Sequence, residues 1–401
     1  MSKTSLIIAA EYVGFELCRE AFWFEDRCTW QTDTMRGNNV SLQTCDPFLY
    51  EGLAGIALFL SHLYAFSNDK VFKETALGAL NQMIEMLDGS ESKSAGFYVG
   101  ETGCAYTLYA ASTLLDKPEL RQVGQEMLMR LFHKTIANQS ADIVSGYAGQ
   151  ILGILRCIPQ PDPITSHHLS CLLDAMMDKS TRVGNSLMWS DPKYPAREAL
   201  TGYSHGNAGI AAALAGLKSV GIGDIDRKHI NEIVQYESDH FVEDKGNWCD
   251  FRFNQTVDAR CSTTWCHGAP GILLSRIKLF HVFKDDTYLE QIKIAISTVE
   301  KHFNENKNSS KSNLSLCHGL YGNLDSLLCA ANVESSGISL SKVRDYASKI
   351  ILNARDDVYD CEYGVHAHDA FVPGLMGGES GVGYSFLRLH SPELVPSVLG
   401  L

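Results

Sequence analysis

The chain has 401 residues and a net charge of −13, with 45% hydrophobic and 20% charged residues. That balance fits a folded globular protein and excludes disorder. An acidic chain also excludes a nucleic-acid backbone as partner, because counterion release needs clustered lysine and arginine.

No run of about 18 apolar residues occurs, so no membrane span is expected. At the N-terminus, Glu11 interrupts a short apolar stretch and no small-residue cleavage site follows, so the segment is not a secretory signal. A cytoplasmic location is expected, with the twelve cysteines mostly buried thiols.

Residues 1–45 are expected to form a helical segment packed on the rest of one domain spanning 1–401. Beyond it, glycine turns recur, each leading into an apolar run. They are "YEGLAGIALFL" (50–60), "VGETGCAYTLYAAS" (99–112), "VSGYAGQILGIL" (144–155) and "SHGNAGIAAALAGL" (204–217), followed by "WCHGAPGILLSRIKLF" (265–280), "LCHGLYGNLDSLLCAA" (316–331) and "MGGESGVGYSFLRLH" (376–390). Every one contains G-x-x-G, and their first glycines (52, 100, 146, 206, 268, 319 and 378) stand 46 to 62 residues apart. One such motif means little; seven at near-regular spacing mark a repeat.

Each apolar run reads as a helix buried on nearly all faces. Between the runs lie amphipathic segments, 73–87, 120–136, 229–242, 287–303 and 340–354, which read as surface helices. Strand signals are weak, and no Asn-Gly or Asp-Gly hairpin is evident. The expected fold is all-α: an α/α toroid with seven buried inner helices inside seven amphipathic outer ones. An open solenoid of helix pairs would leave the apolar inner helices uncovered. Closure gathers the seven glycine turns at one end.

Three of those turns carry reactive groups: Ser204-His205-Gly206, Trp265-Cys266-His267-Gly268 and Leu316-Cys317-His318-Gly319. In a fourth, Asp142 stands four residues before Gly146. If equivalent turns converge, Cys266, Cys317, His318 and His205 meet despite their sequence separation. Two thiolates and an imidazole suit zinc, and three protein ligands leave the fourth position open, as a catalytic site requires. Either His318 or His267 can be the nitrogen ligand, since each follows a cysteine. Asp142 reads equally well as a helix cap. "YGVHAHDAF" (363–371), with His366, His368 and Asp369, reads as an ordinary loop, with metal binding or proton transfer as the alternative.

The stretches "WCHGAPGI", "LCHGLYGN", "SHGNAGI", "LYEGLAGI" and "PGLMGGESGVGY" resemble the repeat motifs of the LanC-like lanthionine cyclases, over about residues 45–390. Their wording is closer to the cyclase domains of bifunctional lanthipeptide synthetases than to the animal LanC-like proteins. The resemblance implies a toroid with zinc at one end, held by Cys266, Cys317 and His318. It implies a proton-handling role for His205, assisted by Asp142. Some members carry an arginine just before the first ligand cysteine and a tyrosine just after it. Here Arg260 is a shifted counterpart of the arginine, and His267 takes the place of the tyrosine.

The implied activity is addition of a peptide cysteine thiol to dehydroalanine or dehydrobutyrine, closing a lanthionine or methyllanthionine ring. The implied partner is a dehydrated precursor peptide of leader and core. About 45 residues precede the first repeat and "FEDRCTWQ" holds no phosphate-binding motif, so a separate dehydratase is expected. The alternatives are a LanC-like protein that adds glutathione or another thiol to dehydroamino acids, and a zinc-containing binding protein without turnover.

Overall fold

The computed structural model describes residues 3–36, 39–88, 94–133, 139–190, 198–252, 260–306, 313–353 and 371–401. His366, His368 and Asp369 lie outside them. The chain opens with α1 (Lys3–Arg19), followed by two hairpins, β1 (Phe22–Phe24) with β2 (Arg27–Thr29) and β3 (Gln31–Arg36) with β4 (Asn39–Thr44). Then come α2 (Leu53–Ser67), α3 (Lys70–Asp88), α4 (Glu101–Leu114), α5 (Pro118–His133), α6 (Tyr147–Cys157) and α7 (Pro163–Met177). A third hairpin, β5 (Thr181–Val183) with β6 (Ser186–Met188), precedes α8 (Asn207–Ser219) and α9 (Arg227–Asp239). A fourth, β7 (Phe241–Val242) with β8 (Asn247–Trp248), precedes α10 (Ala269–Phe283), α11 (Asp286–Asn306), α12 (Leu320–Ala330), α13 (Leu340–Asn353) and α14 (Glu379–His390).

The even-numbered helices are the seven apolar runs. In α2 every residue from Leu53 to Leu63 is buried, and in α8 every residue from Asn207 to Leu217. The odd-numbered helices bury one stripe: α11 buries Tyr288, Ile292, Ala295, Ile296, Val299 and Phe303 and leaves its charges outside.

The two classes also begin differently. Outer helices α7 and α9 start at Asp162 and Asp226, whose carboxylates accept from Thr165 N–H and His229 N–H at 2.8 and 2.9 Å. Inner helices start at glycine with no side-chain cap. Instead the loop folds back, and the residue after the glycine donates its N–H to a carbonyl seven residues earlier: Leu53 to Asp46, Glu101 to Ser94, Tyr147 to Ser140, Asn207 to Leu200, Leu320 to Asn313 and Glu379 to Val372, at 2.8–3.1 Å. The return brings main chain against the glycine. A Cβ on Gly146 would stand 2.2 Å from the Ser140 carbonyl oxygen, which explains the residue type.

Contacts divide the chain into two compact units, each discontinuous in sequence. The first holds Met1–Leu131, Ser309–Tyr321 and Ala347–Ser397; the second holds Phe132–Asn308, Gly322–Tyr346 and Val398–Leu401. In the first, α2 packs on α3, α4 and α14. There α1 lies on α14, burying Leu6, Ala10, Val13 and Leu17 at helical spacing. It thereby serves as the outer partner of α14. The N-terminal segment is helical only to Arg19; the first two hairpins occupy 22–44. In the second unit α8 packs between α6 and α10, with α9 and α11 outside.

The hairpins are short, two to six residues per strand. The turn between β5 and β6 is Gly184-Asn185, with Gly184 at φ +58°, a two-residue turn that a search for Asn-Gly or Asp-Gly passes over. No disulfide joins cysteines among the described residues. Nor is any helix there long and apolar enough to cross a membrane.

Candidate active site

The glycine turns present their chemistry at one recurring position, two residues before the first glycine: Tyr50, Tyr98, Val144, Ser204, Cys266, Cys317 and Met376. Main-chain hydrogen bonds link these positions from turn to turn. In the first unit Cys317 N–H donates to Met376 O at 2.9 Å, Met376 N–H to Tyr50 O at 2.8 Å, and Tyr50 N–H to Tyr98 O at 2.9 Å. In the second, Ser204 N–H donates to Cys266 O at 3.4 Å, and Ile143 N–H to Ser204 O at 3.0 Å. Residues far apart in sequence are thus neighbours because each occupies the same place in its repeat.

The turn that carries Cys266 is built differently from the others. Its Ala269 N–H donates to the Asn247 side chain at 2.9 Å, and Gly268 adopts φ +91°. A Cβ on Gly268 would lie 1.7 Å from the Ser262 carbonyl oxygen, so only glycine fits. Cys266 and Cys317 are each 3% exposed, whereas His318 is exposed.

One ligand atom from each of Cys266, Cys317 and His318 lies within 4.8 Å of the other two. Between Cys317 Sγ and His318 Nε2 the distance is 3.8 Å. Around a tetrahedral zinc, with bonds of about 2.0–2.3 Å, ligand atoms stand about 3.3–3.8 Å apart, so the donor set fits the ion in chemistry and the Cys317–His318 pair fits it in spacing.

His267 is not in that group. Its ring is buried, neither ring nitrogen has a hydrogen-bond partner among the described residues, and Nδ1 stands 3.7 Å from Asp250 Oδ1. Gly202 backs onto it so closely that a Cβ there would sit 2.7 Å from Nδ1. Burial, aided by the charges of Arg252 and His205, holds the His267 pKa down to about 4 against the pull of Cys266 and Asp250.

His205 Nδ1 and Asp142 Oδ2 are 2.8 Å apart. The other Asp142 oxygen accepts from Ser145 N–H at 2.9 Å, which orients the carboxylate within its own turn, ahead of the glycine that starts α6. Crowding by protein lowers the His205 pKa, but the hydrogen bond and charge of Asp142, with the charge of Cys266, outweigh it, and the net shift is upward. The His205 and His267 rings are 6.4 Å apart, centre to centre.

Arg260 is exposed, and its main-chain carbonyl accepts from Asp250 N–H at 2.7 Å. The arginine whose charge bears on both His205 and His267 is Arg252. Arg252 grips Asp250 with Nε at 3.0 Å and a terminal nitrogen at 2.8 Å, while Ser262 Oγ donates to the same carboxylate at 2.5 Å. Burial pushes the Asp250 pKa up, yet these donors and the His267 charge bring it down to about 2. Neither Asp250 nor Arg252 belongs to a repeat motif, so no pattern singles them out. Tyr50 did carry a signal that sequence reasoning missed: it occupies the turn position of Cys266 and Cys317, and its hydroxyl donates to Cys317 Sγ at 2.8 Å.

Comparison with known proteins follows the same lines. The sequence profile described as lanthionine synthetase C-like protein matches residues 44–399. The chain is 24% identical over 410 residues to the lacticin 481/lactococcin biosynthesis protein LcnDR2 of Lactococcus lactis subsp. lactis, covering 96% of this chain and 41% of that protein. It therefore spans less than half the length of that relative. It is 23% identical over 344 residues to glutathione S-transferase LANCL1 of Danio rerio, covering 78% of this chain and 80% of that one. Among solved structures it resembles nisin cyclase, with a TM-score of 0.65 at 18% identity, over 87% of this chain and 89% of that one. At that identity the likeness speaks for the fold, the α/α toroid that the repeats lead one to expect. The chain belongs to the lanthionine synthetase C-like family.

Proposed function

We propose that this protein closes thioether rings in a dehydrated peptide, with zinc held by Cys266, Cys317 and His318. The gathering of those three ligand atoms is the observation that carries the reading. Bound zinc would lower the pKa of a peptide thiol and hold it as thiolate. The sulfur adds to the β-carbon of dehydroalanine or dehydrobutyrine, and the double-bond electrons move to the α-carbon and its carbonyl as an enolate. A proton on the α-carbon then completes the thioether, and no group leaves.

His205 is the residue proposed to take the thiol proton and return one to the α-carbon. Asp142 on Nδ1 fixes the tautomer and leaves Nε2 for the exchange. His267 and Arg260 remain candidates in this step. Arg252 joins them, because its charge already acts on both imidazoles and would answer the negative charge of the enolate. In this reading a separate dehydratase supplies the dehydroamino acids.

The name of the zebrafish relative favours a second reading, addition of glutathione to a dehydroamino acid. One experiment separates the two. The purified protein is given a peptide holding one dehydroalanine and one cysteine, with and without excess glutathione. Cyclisation removes an alkylatable thiol at unchanged mass, whereas glutathione addition raises the mass by one glutathione. Metal analysis of wild type and Cys317→Ala accompanies it. Wild type purified without chelator and lacking zinc would sink the metal assignment. Zinc-loaded protein giving neither product would leave a binding role.

A further inference from the structure

The proposed reaction brings a third sulfur, that of the substrate, beside two cysteine sulfurs of the protein, with a Michael acceptor next to all three. An attack by Cys317 instead of the substrate thiol would form a C–S bond to the protein itself and cost the site a ligand. Something must make the protein sulfur the poorer nucleophile.

Tyr50 is placed to do this. Its hydroxyl donates to Cys317 Sγ at 2.8 Å, and a hydrogen bond to a thiolate draws charge off the sulfur that would attack. The arrangement is held by main chain rather than left to a mobile side chain. Tyr50 O accepts from Met376 N–H, Met376 O accepts from Cys317 N–H, and Tyr50 N–H is fixed on Tyr98 O. The rings of Tyr50 and Tyr98 meet edge to face at 6.3 Å, which sets the direction of the phenol.

Cys266 has a weaker counterpart. Thr264 Oγ1 lies 3.3 Å from Cys266 Sγ, but it also lies 3.2 Å from the His267 carbonyl oxygen, so its one proton has two takers.

We propose that Tyr50 is a positioning residue that keeps Cys317 as a ligand and suppresses its reaction with the electrophilic substrate. The proposal rests on the metal reading given above and goes beyond it by naming the hydroxyl that distinguishes a protein sulfur from a substrate sulfur. A tyrosine present only to pack would be replaced by phenylalanine without chemical consequence.

The test compares zinc-loaded wild type with Tyr50→Phe, their folds matched by circular dichroism. Both are exposed to N-ethylmaleimide at one pH, and modification of Cys317 and Cys266 is followed separately by peptide mass spectrometry. The expected result is alkylation of Cys317 about five- to tenfold faster in Tyr50→Phe, with Cys266 unchanged. Thr264→Val serves as the mirror control, raising reaction at Cys266 and not at Cys317.

A second measurement uses cobalt-substituted protein, where the sulfur-to-metal charge-transfer band moves to lower energy in Tyr50→Phe. Equal alkylation rates at Cys317 together with unmoved bands, in variants that both hold metal, overturn the role of Tyr50 alone. Wild type that binds neither zinc nor cobalt overturns the metal reading, and the role of Tyr50 with it.

Discussion

Asp142→Asn, His205→Ala and the double variant form a cycle that tests whether the carboxylate acts through the imidazole. The bond between them is 2.8 Å long, and a hydrogen bond to a charged group contributes about 1.5–3 kcal/mol. The Asp142 side chain is 12% exposed but that of His205 is 44% exposed, so solvent screens the pair and the lower end applies, about 1–2 kcal/mol. That corresponds to a rate loss of about five- to thirtyfold for Asp142→Asn. Asparagine keeps the shape but can turn an N–H towards Nδ1, which selects the wrong tautomer. His205→Ala removes the proton carrier and is expected to cost about 10²–10⁴. The double variant should be no slower than His205→Ala, because nothing is left for the carboxylate to orient. The assay is the initial rate of thiol loss from a dehydrated peptide, with zinc content measured for each protein. If Asp142→Asn costs the same factor whether or not His205 is present, the two residues act independently and the reasoning fails.

Two further outcomes follow from buried charge. Burial, with the charge of Asp46, raises the Glu51 pKa to about 8 against an opposing hydrogen bond from Gly377, and Glu51 Oε2 has no partner among the described residues. The folded carboxyl holds its proton more tightly than the unfolded one, so this contribution to stability is whole below about pH 4.5 and is lost as pH rises to about 8, by a few kcal/mol. Glu51→Gln should flatten the slope of urea-unfolding free energy across that window; an unchanged slope would contradict the assignment. In α10, Arg276 pairs with Glu237 of α9, both fully buried, and also bonds Gln291 of α11. Arg276→Met should cost about 3–5 kcal/mol in chemical denaturation by stranding the carboxylate, and adding Glu237→Leu should recover most of it. A single variant as stable as wild type would contradict this.

The repeat was legible because its cause is steric and local. A returning loop leaves no room for Cβ at the first glycine, so Gly52, Gly146, Gly206 and Gly378 recur whatever else changes. That alone justified bringing Cys266, Cys317 and His318 together across sequence. What escaped sequence reasoning has no period. Arg276 is a charge inside an apolar run, and only the pairing with Glu237 explains it. Asp250 and Arg252 meet His267 through a loop after β8 that carries no repeat signature. Three of the four hairpins have strands of only two or three residues, too short for alternation to show. Tyr50 sat in plain view in the first turn, but a tyrosine followed by glutamate and glycine reads as packing until its hydroxyl is seen on a sulfur.

The pairing of α1 with α14 has a consequence for how the chain folds. Inner helices α2, α6, α8 and α10 each pack on the outer helix that follows directly in sequence. Helix α1 also touches α2 and α3, but its most extensive pairing must wait for α14, so that seam is a long-range step. During that wait Leu6, Ala10, Val13 and Leu17 lack their final partner, and a growing chain is most exposed to aggregation there.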